Sequence, residues 1–269
     1  NILSLHPKIS INGEFRFNEI LKTIFDLSDK NYSPFKDKEV KKEIMEDFHK
    51  FVYKYTTYSK DNNGNIEWFG DRSPRTIEPI VMNNTPHFFI YRDPRDILVS
   101  WTYFCYSEAS LATQLIGNMK EYKDNFDQDN LFFNKHPDRL LEEKQWTLQV
   151  IKGWKERMKS DLKSIQKIKK GELKLPLYTI KYETLHIYLE TERKKMYEYL
   201  GLNPAEALPI DNLTRPGFKT ENPNSHYRKG ETGQWKKYFS TETTKMVKKE
   251  IGNLLINLNY ELNYDWKGD

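Results

Sequence analysis

One segment of the chain places an arginine and a serine where they could bind a phosphate. Residues 87–91 form an apolar run typical of a short buried strand. Arg92 follows this strand, and Asp93 and Pro94 are residue types that cap and begin a helix. Ser100 then falls about two turns into that helix. A guanidinium and a hydroxyl beside a helix N-terminus suit an anionic group such as a phosphate.

A second basic segment, residues 227–239, has the sequence Tyr-Arg-Lys-Gly-Glu-Thr-Gly-Gln-Trp-Lys-Lys-Tyr-Phe. Together the two segments resemble motifs of sulfotransferases that use 3′-phosphoadenosine 5′-phosphosulfate (PAPS). Residues 91–100 are similar to the 3′-phosphate motif of that family, and residues 227–239 to its late Arg-Lys-Gly-x-x-Gly-Asp-Trp loop. The order and separation of the motifs agree with the family, and the resemblance spans nearly the whole chain. One departure is Gln234, which stands where the family usually has Asp.

The resemblance implies a site for PAPS as sulfate donor and for adenosine 3′,5′-bisphosphate (PAP) as product. It assigns the 3′-phosphate to the side chains of Arg92, Ser100, Arg228 and Lys229 and to the backbone of Gly230. Glycine lets backbone amides approach an anion, and arginine can bind two oxygens at once, so the residue types fit this role. The alternative for Arg92 is a surface ion pair, for example with Asp96.

Tyr182 is a candidate for contact with the adenine base. It ends a predicted strand, residues 177–182, and Glu183 follows it, as in the Tyr-Glu strand end that lies near the adenine in the family. An aromatic side chain there could stack on the base or hydrogen-bond it. The alternative is a tyrosine that only packs in the core, and both interpretations stay open.

Two further segments imply catalytic residues. Residues 6–14 resemble the His-Pro…Gly-Glu segment of protein-tyrosine and related sulfotransferases, which makes Glu14 the general base for the acceptor's proton. Residues 71–74 resemble the family's Asp-Lys-Ser/Thr-Pro segment, whose Lys neutralises charge on the sulfuryl group. Arg72 keeps that charge but lacks the compact ammonium. The alternatives are a surface or helix-start carboxylate for Glu14 and a structural ion pair with Asp71 for Arg72.

The elements around these residues alternate between strands and helices. Strands are predicted at 66–69, 87–91 and 177–182, and helices follow the apolar spacing near 17–25, 40–55, 151–165, 189–200 and 247–258. The polar residues 107–140, with scattered aromatics, predict a mobile or substrate-facing excursion. Alternating strands and helices favour an α/β fold: one domain over residues 1–269, with a central parallel sheet flanked by helices, as in the P-loop-like sulfotransferases.

The family's phosphosulfate loop, which resembles Pro-Lys/Arg-Ser-Gly-Thr-Thr, has no match in the 269 residues. Residues 1–7 resemble the segment just downstream of that loop, so we expect the first strand and the loop to be missing from an N-terminally truncated domain. The 3′-phosphate contacts would contribute about 5–8 kcal/mol before ordering costs, whereas micromolar affinity needs about 8 kcal/mol. This chain by itself is therefore expected to bind PAP weakly and to transfer no sulfate.

Composition narrows the classes of partner. A net charge of +4, from 43 basic and 39 acidic residues, does not predict nucleic-acid binding, which needs a clustered basic face. No apolar run approaches the length of a membrane span and no signal peptide is visible, so a cytoplasmic protein is expected.

The single cysteine, Cys105, excludes an internal disulfide, and its apolar surroundings favour a buried thiol over a nucleophile. No His or Cys cluster has metal-ligand spacing.

The sequence therefore predicts a sulfotransferase that moves a sulfuryl group from PAPS to an acceptor hydroxyl. The acceptor could be a small molecule, a carbohydrate or a peptide tyrosine, and the sequence does not distinguish them. The alternative is a catalytically inactive nucleotide-binding or interaction domain of the same fold. Gln234, Arg72 and the missing loop favour that alternative.

Overall fold

The structure is a computed structural model in which short strands and helices alternate. It describes residues 2–11, 17–28, 37–58, 65–72, 77, 85–210 and 230–268. In these ranges the strands are β1 (Ile9–Ile11), β2 (Trp68–Gly70), β3 (His87–Tyr91) and β4 (Leu177–Lys181). The α-helices are α1 (Phe17–Ser28), α2 (Lys38–Thr57), α3 (Pro94–Ser107), α4 (Met119–Gln128), α5 (Phe132–Lys135), α6 (Lys144–Lys169), α7 (Tyr182–Ile187), α8 (Leu189–Tyr199), α9 (Trp235–Tyr238) and α10 (Thr241–Asn257). Short 3-10 helices occur at Leu3–Leu5, Ala109–Gln114, Pro137–Arg139 and Pro204–Glu206.

The described strands form two sheets of two strands each. β1 and β2 are parallel, with Ile9 opposite Trp68 and Ile11 opposite Gly70. β3 pairs with β4. The expected α/β class, with parallel strand pairing and flanking helices, is confirmed. β3 has its predicted bounds, whereas β4 ends one residue earlier than predicted because Tyr182 begins α7.

The chain divides into two compact units. The first contains the described residues of Asn1–Phe89, Asp161–Ile180 and Ile187–Thr214. The second contains those of Ile90–Ser160, Lys181–His186 and Arg215–Asp269. The parts of the two basic motifs that the structure describes, around Arg92 and Gly230, lie in the second unit.

The first unit has an apolar cluster between α1 and α2. Its buried members are Phe17, Leu21, Phe48 and Val52. They recur at a spacing of four residues on each helix, so one face of each amphipathic helix turns toward the other. The helices predicted from this spacing near 17–25 and 40–55 are confirmed. A carboxylate oxygen of Asp71, just after β2, accepts a hydrogen bond from the Phe17 N–H at 3.2 Å and so supports the start of α1.

Residues 107–140, predicted to form a mobile or substrate-facing excursion, contain more regular structure than that prediction implied. The structure places α4, α5 and two 3-10 helices there, around buried aromatic side chains. The rings of Phe126 and Phe133 stack at 5.7 Å, and Phe133 also lies 4.6 Å from the ring of Tyr106 on α3. The helices are only ten and four residues long, so their apolar residues never establish a long helical period.

Residue types typical of helix ends mark the ends of three helices. Gly171 and Gly201 follow α6 and α8 with φ values of 73° and 72°, a left-handed conformation that favours glycine. Ser240 caps α10, and its hydroxyl accepts a hydrogen bond from the Thr243 N–H at 3.1 Å. These ends depend on residues adjacent in sequence, which explains why spacing and residue type alone locate them.

Candidate functional site

Arg92 lies in the short connection between β3 and α3, as the sequence predicts. The strand ends at Tyr91 and the helix begins at Pro94. Asp93 caps the helix, since its carboxylate accepts a hydrogen bond from the Arg95 N–H at 2.9 Å. Proline in the first turn needs no amide partner, so this sequence begins a helix directly after the strand.

The Arg92 guanidinium connects three segments of the second unit. Its Nη2 donates a hydrogen bond to the carbonyl oxygen of Glu231 at 3.0 Å, across 139 positions of sequence. The guanidinium carbon lies 4.5 Å from the centre of the Tyr182 ring. The Nε atom is buried and donates to none of the described residues. A guanidinium held on an aromatic face keeps its in-plane N–H groups for oxygen acceptors, which is the geometry that phosphate binding needs.

Asp96 holds the second motif against the first turn of α3. Its Oδ2 accepts a hydrogen bond from the Gly233 N–H at 2.7 Å, and its Oδ1 accepts one from the Trp235 N–H at 2.9 Å. Gly230 and Gly233 have φ values of 70° and 75°, which side chains with a Cβ rarely adopt. The two motifs, far apart in sequence, therefore meet at the start of α3.

The Asp96 carboxyl is only 2% exposed, and its surroundings set its ionisation. Burial raises its pKa, and the nearby charge of Asp93 raises that pKa further. The Trp235 N–H, the charge of Arg92 and the Gly233 N–H act in the opposite direction. Because both oxygens accept from amide N–H groups, the geometry fits the ionised carboxylate, which has no O–H to oppose a donor.

Arg95 also stabilises the first turn of α3. Its Nη2 donates to Asp93 Oδ2 at 2.7 Å, and its Nη1 donates to the carboxylate of Glu261. The guanidinium carbon lies 3.9 Å from the centre of the Trp235 ring and 4.7 Å from that of Trp266. The charge is buried but paired on two sides, which is the condition under which a buried arginine is tolerated.

Tyr182 lies beside Arg92, at the start of α7. Its ring is nearly parallel to the ring of His186, with centroids 5.9 Å apart and planes 13° apart. Burial raises the pKa of the Tyr182 hydroxyl, while the positive charge of Arg92 acts against this rise. Glu183 accepts hydrogen bonds from the Asp93 N–H at 2.9 Å and from the Tyr260 hydroxyl at 3.2 Å. The Tyr-Glu pair thus supports the segment that carries Arg92.

The remaining site residues predicted from sequence are distributed as follows. Ser100 is the seventh residue of α3 and is partly exposed. Gly230 begins the described part of the second motif, whereas Glu14, Arg228 and Lys229 lie outside the described residues. Arg72 is exposed and belongs to the first unit. The structure therefore brings together Arg92, Tyr182 and the loop that begins at Gly230.

Sequence reasoning missed Asp96 and Arg95, and it considered Asp96 only as a surface partner of Arg92. That interpretation is wrong because Asp96 is buried and its two oxygens accept from backbone amides. A signal was present in the sequence: both residues directly precede the apolar run Ile97-Leu98-Val99. Charged side chains at the start of an apolar helix are candidates for buried, paired groups.

Two negative observations concern the described part of the chain. Within it, no three His, Cys, Asp or Glu side chains are grouped as a metal site would require. None of its helices combines the length and the hydrophobicity that a transmembrane span needs.

The comparison with protein families agrees with the resemblance of the two motifs. The family model described as "Sulfotransferase domain" matches residues 17–258. Among solved structures, the crystal structure of mouse sulfotransferase SULT7A1 complexed with PAP aligns with 96% of this chain and 90% of that chain. The TM-score of this alignment is 0.43 and the sequence identity is 12%. No curated protein sequence matches the chain.

Proposed function

This chain belongs to the sulfotransferase domain family, and we propose that the protein transfers a sulfuryl group from PAPS to an acceptor hydroxyl and leaves PAP. One observation carries the proposal: the first turn of α3 and the loop from Gly230 to Trp235 meet around Arg92. Each segment carries a phosphate motif of the family. Their contact supports a single anion site formed by both.

The proposed nucleotide site is centred on the 3′-phosphate. Arg92 supplies N–H donors, and its buried Nε, which donates to no described residue, is a donor that a phosphate oxygen would satisfy. Further contacts are assigned to Ser100, to the Gly230 backbone, and to Arg228 and Lys229. Tyr182 stacks on Arg92, so its ring borders this site and is assigned to the adenine end of the nucleotide.

The proposed chemistry is an in-line displacement at sulfur. The acceptor oxygen forms a bond to sulfur while the bond between sulfur and the 5′-phosphate oxygen of PAPS breaks. Glu14 takes the proton of the acceptor hydroxyl, and Arg72 neutralises charge that develops on the sulfuryl group and the leaving oxygen. Both roles stand on the resemblance of residues 6–14 and 71–74 to the family's segments. The acceptor class remains a hydroxyl of a small molecule, carbohydrate or peptide.

The test of the nucleotide site compares PAP with adenosine 5′-monophosphate (AMP), which lacks only the 3′-phosphate. Calorimetry on this chain is expected to show weak binding of PAP and still weaker binding of AMP. The variant Arg92→Ala is expected to raise the Kd for PAP by about 10- to 100-fold, since a hydrogen bond to a charged group contributes about 1.5–3 kcal/mol. The Kd for AMP should change little.

The matched control is Arg157→Ala, because Arg157 is an exposed arginine of α6 whose Nε donates only to its own helix, at Gly153, among the contacts described. This variant is expected to keep the wild-type preference for PAP. Equal affinity of the wild-type chain for PAP and AMP would contradict the proposed 3′-phosphate site. Sulfate transfer itself is measured on the intact protein with a radiolabelled donor and a panel of phenols, sugars and tyrosine peptides.

A further inference from the structure

We propose that Asp96 is the positioning residue of the nucleotide site: its carboxylate holds the loop Gly230–Trp235 at the distance from Arg92 that a phosphate requires. The inference rests on the proposed function, because it assigns a role within the same site. Asp96 itself donates nothing to an anion and would repel one. Its effect on the nucleotide therefore passes through the backbone that it holds.

The first argument is the geometry at the carboxylate. Both oxygens of Asp96 are engaged, one by the Gly233 N–H at 2.7 Å and the other by the Trp235 N–H at 2.9 Å. Two bonds from one planar group to two amides of the same loop fix the orientation of that loop as well as its distance. With 2% exposure, the carboxyl is shielded from water that would compete for these amides.

The second argument is that the loop contains little to order itself. Gly230 and Gly233 both have positive φ values and lose more conformational freedom on ordering than any other residue type. Within the loop, the Gln234 side chain donates to the Glu231 carboxylate, an exposed contact that contributes little. The carbonyl oxygens of Gly233, Gln234 and Trp235 accept local hydrogen bonds from the N–H groups of Lys236, Lys237 and Phe239. The buried bonds to Asp96 are the contacts that tie the Gly233 and Trp235 amides to α3.

The third argument is that one rigid element carries both halves of the site. Asp96 lies in the first turn of α3, and Arg92 lies four positions earlier, next to the helix cap. Arg92 Nη2 also bonds the Glu231 carbonyl oxygen, so the loop is attached at both ends of this short segment. Arg95 adds packing against the Trp235 ring at 3.9 Å. The position of Glu231, Gly233 and Trp235 relative to Arg92 is thereby set by residues 92–96.

The test is the variant Asp96→Asn, which keeps the size of the side chain. Its amide can accept only one of the two N–H groups and presents a donor to the other. The Kd for PAP is expected to rise about tenfold, while the Kd for AMP stays within twofold, because AMP lacks the phosphate that the loop binds. A residue with only a structural role would change both affinities together or neither.

The matched control is Asp161→Asn. Asp161 is also a buried aspartate that accepts a backbone N–H from a distant residue, Ile77, at 2.6 Å. This variant should keep the ratio of the two dissociation constants at the wild-type value. If wild type prefers PAP and Asp96→Asn retains that preference, the inference is overturned and the proposed function stands. If wild type binds PAP and AMP equally, both are overturned.

A second measurement needs no variant and covers the case in which Asp96→Asn does not fold. Hydrogen exchange on the wild-type chain should show the amides of Gly233 and Trp235 protected before nucleotide is added, and no more than slightly further protected by PAP. Exchange of these two amides at the rate of an unstructured chain in the free protein would show that Asp96 does not hold the loop, and would overturn the inference.

Discussion

Arg92 and Asp96 carry opposite charges and lie four positions apart in sequence, yet their side chains contact different partners. The Asp96 carboxylate accepts hydrogen bonds from the N–H groups of Gly233 and Trp235. The Arg92 guanidinium donates a hydrogen bond to the Glu231 carbonyl oxygen and lies on the Tyr182 ring. A direct ion pair would have used the carboxylate to neutralise the guanidinium. Because the amides occupy the carboxylate, the positive charge of Arg92 stays available for an anion.

At the same scale, Glu14 provides a test of the chemistry rather than of binding. In the intact protein, Glu14→Gln is expected to lower turnover by about 10²–10⁴-fold, the usual contribution of a general base, since the amide cannot take the acceptor's proton. The Kd for PAP should not change. Turnover is measured with the radiolabelled donor, and affinity by calorimetry.

The control for this prediction is Glu67→Gln. Glu67 is an exposed carboxylate that pairs with Lys8 at 2.8 Å, so its loss tests for a general effect of removing one carboxylate charge. The Glu67 variant is expected to keep wild-type turnover. Full turnover in Glu14→Gln would show that another group accepts the proton.

At the scale of elements, α3 is the scaffold of the site. Its first turn combines the Asp93 cap, Pro94 and the buried pair of Arg95 and Asp96, and its inner face carries apolar residues such as Leu98. The same helix thus begins at the proposed phosphate site and packs in the core of the second unit. Displacement of the helix would move both, which links packing to nucleotide affinity.

Cys105 on this helix reports on the packing of α3. The thiol is fully buried, and burial raises its pKa to about 12. Because the thiolate is the reactive form, iodoacetamide at pH 8 should leave Cys105 unmodified in the folded protein and label it completely in denaturant. Mass spectrometry of the intact chain distinguishes the two cases. Rapid labelling under native conditions would mean that the inner face of α3 opens to solvent.

The short helices between α3 and α6 show where element prediction from sequence fails. The aromatic residues of this region resemble scattered surface groups when the chain is examined alone, but Phe126 and Phe133 are buried against Tyr103 and Tyr106 of α3. Their burial depends on a partner helix, not on a period within their own short helices. Long helices such as α6 repeat the apolar spacing over several turns, so the sequence alone predicts them.

At the scale of the whole molecule, the site draws on three separate segments of the second unit. Arg92, Tyr182 and Gly230 come from Ile90–Ser160, Lys181–His186 and Arg215–Asp269 respectively. Each segment supplies one part, and none of them can form the site alone. A ligand that contacts all three should therefore stabilise the folded chain as well as bind to it.

Thermal unfolding tests this linkage. PAP at a hundred times its Kd is expected to add about 2.7 kcal/mol to the free energy of unfolding, which corresponds to a rise in Tm of several degrees. AMP at the same concentration should shift the Tm less, because it lacks the 3′-phosphate that spans the segments. An equal shift with both nucleotides would indicate that stabilisation does not involve the phosphate motifs.

By itself, the sequence determined the α/β class, the longer helices and the two motifs that resemble those of sulfotransferases. These features depend on residue type and spacing within a few turns of chain, such as Asp93-Pro94 at the start of α3. Only the tertiary structure decided that Asp96 and Arg95 hold the second motif and that Tyr182 supports Arg92. Those roles arise from contacts between residues far apart in sequence, such as Asp96 and Trp235, which are 139 positions apart. The folded backbone decides which amides a buried carboxylate meets.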